Sequence, residues 1–207
     1  MPTFKPDLRF KDQDVYIVGG GPSLSGFNWD DLKDKNVIGC NSAFRLGGQI
    51  CPITLFSDLL WFEAFYDLLA EYTGTVITHY PKLKESSVEW LHWMERGTKK
   101  GLYKDRLAYG GNTGCGAINL ALIMGAKRVF LLGFDCKPGK ENEANWHKWQ
   151  IEKVKPAVHD RHLAGFKALA EALPTVFPGR EVINLTEGSR IPFFPFSKFK
   201  RNERQAA

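Results

Sequence analysis

The groups in this sequence best suited to chemistry are glycines, hydroxyls, amides, carboxylates and imidazoles gathered in a few short stretches. Gly19-Gly20-Gly21-Pro22-Ser23-Leu24 directly follows an apolar run, Val15–Val18. Glycines in such a turn let the backbone approach a ligand, and its N–H groups can face phosphate oxygens. A plain turn that only closes a strand has the same composition. Two nucleotide motifs can be tested against it. A dinucleotide fingerprint needs glycine where Leu24 stands, and an acid about 20 residues further on, where Asn41 stands. A P-loop has the right spacing at Gly21 and Gly26, but Phe27 occupies the lysine position. NAD binding and P-loop chemistry are both disfavoured.

Histidine supplies the acid–base candidates, because its unperturbed pKa of about 6.5 lies near neutrality. His147 sits in Asn145-Trp146-His147-Lys148-Trp149, within a long polar stretch after Asp135. Long loops in compact domains are often lids or binding loops. His159 and His162 are three residues apart and would share a helical face. That spacing also suits a metal pair completed by Asp135 or His147. No HExxH motif or cysteine partner supports a metal, and none is assigned. His147, His159, His162 and Asp135 are therefore the candidate catalytic residues. His79 reads as an ordinary loop residue.

These groups need elements to hold them. Short apolar runs at Val15–Val18, Asn36–Cys40, Ile53–Phe56, Thr75–Thr78, Arg128–Leu132 and Glu181–Leu185 read as strands. Continuous apolar strands separated by helices indicate a parallel sheet covered on both faces. Leu59–Tyr72 places Phe62, Phe65, Leu69 and Tyr72 at helical spacing. Asn112–Met124 opens with a capping Asn-Thr-Gly and ends at Gly125, and His159–Leu173 stops before Pro174. The expected architecture is α/β: one Rossmann-like domain over residues 1–196, mostly parallel, with helices on both faces. Residues 197–207 read as a flexible basic tail.

Ligands in such folds sit beyond the carboxyl ends of the strands. Asn41 and Ser42 end the second strand, Ser57 and Asp58 the third, and Gly133-Phe134-Asp135 the strongest one. Asn112-Thr113-Gly114 opens a helix whose N-terminus attracts anions. Ser189, in Leu185-Thr186-Glu187-Gly188-Ser189, could close the pocket after the last strand. The candidate nucleotide-binding set is Gly19, Gly20, Gly21, Pro22, Ser23, Asn41, Ser42, Asp58, Asn112, Thr113, Gly114, Gly133 and Ser189. Together they describe a crevice for a sugar–phosphate ligand, rich in amides and hydroxyls.

Composition narrows the function classes. The 207 residues carry a formal charge of +5, with 43% hydrophobic and 25% charged residues, which excludes disorder and collagen-like architectures. Residues 197–207 hold four basic residues and one acidic, leaving +2 for the other 196. A nearly neutral domain with a basic tail is not a basic-faced nucleic-acid binder; only the tail, with Phe196, Lys198, Phe199, Lys200 and Arg201, carries an aromatic–basic pattern that could touch nucleic acid. Arg96–Arg106 holds five basic residues and one acid, read as a solvated loop or a phosphate-facing flap. No run approaches the roughly 18 apolar residues of a membrane helix, and the N-terminus lacks a signal-peptide core. Four dispersed cysteines (Cys40, Cys51, Cys115, Cys136) point to a reduced, cytoplasmic setting.

The ordered motifs resemble a known group. Gly19 to Leu24 with Cys40-Asn41 resembles the bacterial sialyltransferases that use CMP-activated sugars, the motility accessory factor glycosyltransferases and the archaeal 6-hydroxymethylpterin diphosphokinases. Gly111 to Ala117, continuing through Leu131 to Asp135, resembles the second signature of that group. Small phage-encoded proteins with the same segments resemble it most. The resemblance spans most of residues 14–190, with about 50 motif-like residues. It implies that Gly19, Gly21, Ser23 and Asn41 hold a nucleotide and that Asn112-Thr113-Gly114 line its site. It further implies a general-base histidine near the start of the last long helix, where His159 and His162 lie. Gly20 departs from the group's pattern, which has Asn there, and residues 134–158 have no clear counterpart of its phosphate-facing tyrosines.

The expected function is a nucleotide-binding transferase, foremost a glycosyltransferase using a CMP- or UDP-activated sugar with a histidine base. An ATP-dependent diphosphokinase, which alone would require Mg2+, and a non-catalytic binding protein are the alternatives. The expected partners are a nucleotide or nucleotide-sugar donor and an unspecified acceptor.

Overall fold

In the computed structural model, which describes residues 1–149 and 156–200, seven strands form one sheet with every neighbouring pair parallel. The strands are β1 (Asp14–Val18), β2 (Asn36–Cys40), β3 (Ile53–Phe56), β4 (Thr75–Thr78), β5 (Leu91–Trp93), β6 (Arg128–Leu132) and β7 (Glu181–Asn184). Their order is β5-β4-β3-β2-β1-β6-β7. The chain steps outward from β1 to β5, then returns to the other side of β1 for β6 and β7. The order therefore reverses between β1 and β6, and such a switch point leaves a crevice beyond the strand ends. This is a single-sheet, Rossmann-like α/β fold.

Burial on both faces explains the continuous apolar strands. Val15 and Ile17 of β1 belong to one core cluster, with Ile38, Leu131 and the helix α3 (Thr113–Ile123). Val18 faces the other side, with Leu24, Leu32, Val37, Cys51 and Leu132. Alternate side chains point to opposite faces, as a strand requires. Helix α3 is buried from Thr113 to Leu122 and carries no charged residue. A helix apolar on all sides fits only an interior position. A third cluster, around Phe44, Phe56, Trp61, Phe62, Phe65 and Leu69, packs over β3, β4 and β5.

Four local expectations are corrected. The helix read over residues 59–72 is two helices, α1 (Leu59–Ala64) and α2 (Tyr66–Ala70). The break falls at Phe65 (φ −116°, ψ 13°), whose ring sits against Phe44 and Trp61. Helix α4 spans Pro156–Val176 and continues past Pro174, with the Phe177 N–H donating to the Leu173 carbonyl at 3.0 Å. Strand β5, only three residues long, was not apparent from the sequence. The N-terminal segment covers its edge through Phe4 N–H to the Trp93 carbonyl and Trp93 N–H to the Pro2 carbonyl (2.7 and 2.9 Å), which blunts an exposed edge. Finally, the tail does not leave the domain at Ser197. Ser197 N–H donates to the Asn184 carbonyl at 3.1 Å, and the Phe199 ring packs on Tyr16 and Phe27. The rest of the basic tail, residues 201–207, lies outside the described residues.

No helix among the described residues is long and apolar enough to cross a membrane. All four cysteines are free. Burial pushes the Cys51 and Cys115 thiols up to about 12 and Cys136 to about 11, and moves Cys40 upward as well. These are packing groups rather than nucleophiles.

Candidate active-site crevice

The turn after β1 meets the loop after β6 at the switch point. Gly19 N–H donates to the Leu132 carbonyl and Gly21 N–H to the Gly133 carbonyl, both at 2.8 Å. Ser23 donates its N–H and its hydroxyl to the two Asp135 carboxylate oxygens, at 3.1 and 2.8 Å. Gly21 must be glycine because a Cβ there would overlap Asp135 Oδ2. Asp135 is buried, and burial raises its carboxyl above the ordinary range against the pull of the Ser23 bonds. The expected open cradle of amides is therefore not what the fold builds. The N–H groups of Gly19, Gly21 and Ser23 are spent internally, and a carboxylate already occupies the position that an anion would take. Pro22 starts a short 3-10 turn, and Gly133, at φ +72°, adjoins Leu24.

The long loop after Asp135 returns over this turn. Trp146 donates its backbone N–H to the Gly20 carbonyl and its indole N–H to the Gly19 carbonyl, both at 3.1 Å. Its ring packs on Trp29. His147 stacks on Trp149, and the Arg45 guanidinium lies 3.7 Å from the Trp149 ring centre. Burial and the Arg45 charge hold His147 down to about 4.

A second set of polar groups converges at the start of α3. Thr113 Oγ1 lies 2.8 Å from Ser57 Oγ and donates to Asn41 Oδ1 at 3.3 Å. This joins the ends of β2 and β3 to the helix N-terminus. Asn41 adopts φ +50°, a left-handed conformation that asparagine tolerates better than most residues. Asn112 caps α3 by accepting from Cys115 N–H at 2.9 Å. Gly114 leaves room for Phe134. Asp58 and Ser42 have scaffold tasks: Asp58 caps α1 through Trp61 N–H, and the buried Ser42 hydroxyl accepts from the Trp61 indole. Ser189 is likewise committed to its turn, donating to the Phe134 carbonyl at 2.6 Å and accepting from Ile191 N–H.

Helix α4 packs against the loop before α3. Gly165 packs backbone to backbone on Gly110, just before the α3 cap. His159 and His162 stand edge to face, 6.4 Å apart. Burial is the main cause of a lowered proton affinity in both. His162, next to Arg161 and His159, falls to about 4. His159 is also lowered, by burial and Arg190, with Asp160 opposing. Arg190 ties this helix to the switch point: its N–H donates to the Asp135 carbonyl at 2.9 Å and its side chain pairs with Asp160 at 3.0 Å. Among the described residues no three His, Cys, Asp or Glu side chains gather as a metal-binding group.

His79 is the residue that sequence reasoning passed over. It follows β4 and is only 5% exposed. Its Nδ1 is buried without a hydrogen-bond partner among the described residues. Burial and the Arg96 charge lower it to about 4. In the sequence its only mark is its place directly after the apolar run Thr75–Thr78.

No family model matches the sequence. No curated protein matches it either. Among solved structures, the chain is similar to a mutant of the α-2,3/8-sialyltransferase CstII, at 16% identity and a TM-score of 0.50, over 93% of each chain. At that identity the likeness shows the fold alone, a Rossmann-like α/β sheet.

Proposed function

We propose that the protein is a nucleotide-binding glycosyltransferase that takes a sugar from a nucleotide-activated donor, of CMP or UDP type, in the crevice at the carboxyl edge of the sheet. The observation that carries this reading is the Thr113 hydroxyl, shared between Ser57 and Asn41 at the N-terminus of α3. A helix N-terminus favours phosphate through its dipole and its unpaired N–H groups. This reading assigns the donor phosphate there rather than to the glycine turn, where the N–H groups of Gly19, Gly21 and Ser23 are already bonded and Asp135 sits. Asn41 and Ser57 then offer hydrogen bonds to the sugar or ribose hydroxyls. The structural likeness to a sialyltransferase supports the same reading.

Of the three candidate bases, His159 suits the role best. His147 and His162 are held near 4, whereas His159 is less depressed and lies beside the Arg190 strap to Asp135. A base works best with a pKa near the operating pH. In the step, the acceptor hydroxyl attacks the anomeric carbon, its proton passes to His159, and the bond to the departing phosphate breaks. Developing charge on that phosphate is stabilised at the start of α3.

The diphosphokinase reading requires Mg2+, ordinarily held by one or two carboxylates and the substrate phosphates. Asp135 fits that task poorly, because both its oxygens accept from Ser23. The test is release of free nucleotide from CMP- and UDP-sugars without metal. His159→Ala should lower the rate by roughly 10²–10⁴ with donor binding retained. An unchanged rate removes His159 from the role, and no turnover of any nucleotide sugar removes the transferase.

A further inference from the structure

The carboxyl ends of β4 and β5 hold basic and aromatic groups that the donor site does not use. Arg96 follows β5 and is half-buried. Its backbone is fixed by Gly97 N–H to the Leu107 carbonyl and Leu107 N–H to the Glu95 carbonyl, at 2.9 and 2.8 Å. Its guanidinium lies 4.6 Å from the ring centre of Tyr109, an exposed residue three positions before the α3 cap. Among the described residues Arg96 has no carboxylate partner, whereas Arg9, Arg106, Arg128, Arg180 and Arg190 each have one. A planar guanidinium held against an aromatic face, with its donors unspent, is suited to an oxyanion.

His79 borders the same corner. A Cβ at Gly116, in the first turns of α3, would stand 3.9 Å from His79 Cδ2. The orphaned Nδ1 of His79 is the kind of buried polar atom that calls for a partner. The Arg96 charge acts on this imidazole and helps keep it neutral. Lys99, Lys100 and Lys104 add positive charge to the excursion between the paired residues 97 and 107.

We infer that Arg96, Tyr109 and His79 form an acceptor subsite for an oxyanion, so that the acceptor is a sugar bearing a carboxylate or a phosphate. The inference rests on the reading that the sugar donor occupies the neighbouring crevice at Asn41 and Thr113. Arg96 supplies the charge, Tyr109 orients the guanidinium and offers a face to the sugar ring, and His79 supplies a neutral imidazole at the back.

The test is an NMR titration of the full chain with inorganic phosphate, glucuronate, glucose 6-phosphate and glucose, read at the His79 and Tyr109 rings. Phosphate and at least one charged sugar are expected to shift both rings at millimolar concentration, and glucose to leave them unmoved. Which charged sugar binds more tightly distinguishes a carboxylate acceptor from a phosphate one. Arg96→Gln should weaken the anions by about tenfold or more, as loss of a charge-assisted contact does, and Arg96→Lys should recover part of that affinity. Unchanged affinity in Arg96→Gln, or equal shifts with glucose, overturns the subsite. CMP added to the same sample and read at Asn41 reports on the donor reading separately. Silence at Asn41 with anion shifts at His79 sinks the donor reading and leaves the oxyanion site. Shifts at Asn41 with silence at His79 do the reverse.

Discussion

Asp135 and Ser23, 112 positions apart, are joined by two hydrogen bonds: the Ser23 N–H reaches Oδ1 at 3.1 Å and its hydroxyl reaches Oδ2 at 2.8 Å. The pair closes the turn after β1 onto the loop after β6, where the strand order reverses. A turn that looks built to receive an anion is thereby filled from within. Asp135→Ala would leave the Ser23 N–H without its acceptor, at a cost of about 1–3 kcal/mol. Because burial raises its native pKa, Asp135 contributes more stability when protonated, and that part is lost as pH rises through the native value. Denaturant melts of wild type and Asp135→Ala should therefore differ more at pH 4 than at pH 8.

His79 gives the opposite dependence. Its native pKa, about 4, lies below the ordinary 6.5. Between those values the unfolded chain binds a proton that the native state does not, so stability rises with pH across this window and is lost on acidification. For a group this buried the full effect is on the order of 3 kcal/mol. His79→Gln should flatten the acid limb of the stability profile. His147 and His162, also held near 4, should preserve part of the slope.

Trp146 pins the long loop to Gly19 and Gly20. Trp146→Phe keeps an aromatic ring but removes the indole donor. The expected loss is about 0.5–1.5 kcal/mol, the net worth of one hydrogen bond. Urea melts measure it, and faster proteolysis between residues 136 and 149 should accompany it.

Gly165 lets α4 touch the Gly110 backbone, and a Cβ there would overlap the Gly110 carbonyl oxygen. Gly165→Ala should push α4 outward, at a cost of about 1–3 kcal/mol for overpacking. On the proposed mechanism it should also shift His159 away from the acceptor hydroxyl. Transfer rate is expected to fall further than nucleotide affinity, since the proposed donor contacts lie on α3.

The strands were legible because burial on both faces writes continuous apolar runs such as Arg128–Leu132. Strand β5 was not, because Leu91–Trp93 owes its extended form to pairing with β4 and the N-terminal segment rather than to its own pattern. The strand-end residues Asn41 and Ser57 and the helix-start residue Thr113 could be placed at one edge from the topology of an α/β sheet. Which of them bond to one another could not, since that depends on how deeply α3 sinks between the strands. Asp58, Ser42 and Ser189 share the composition of ligand-binding residues but are used as caps and turn closures, which sequence alone does not separate. Asp135 was recognised as a strand-end acid, yet its clasp on Ser23 needed the tertiary fold. His79 was overlooked because Thr-His-Tyr-Pro reads as a loop, whereas the fold buries it beside Gly116 of α3.

The central claim, a nucleotide at the start of α3, is tested most directly by thermal shift with CMP, UDP, GDP and ATP, each with and without Mg2+. A ligand at 100 times its dissociation constant contributes about 2.7 kcal/mol, or roughly 5–10 °C in a chain of this size. The account predicts that CMP or UDP raises Tm without Mg2+, and that Thr113→Val, which removes the hydroxyl between Asn41 and Ser57, abolishes most of the rise. No shift with any nucleotide, or a shift confined to ATP with Mg2+, would contradict it.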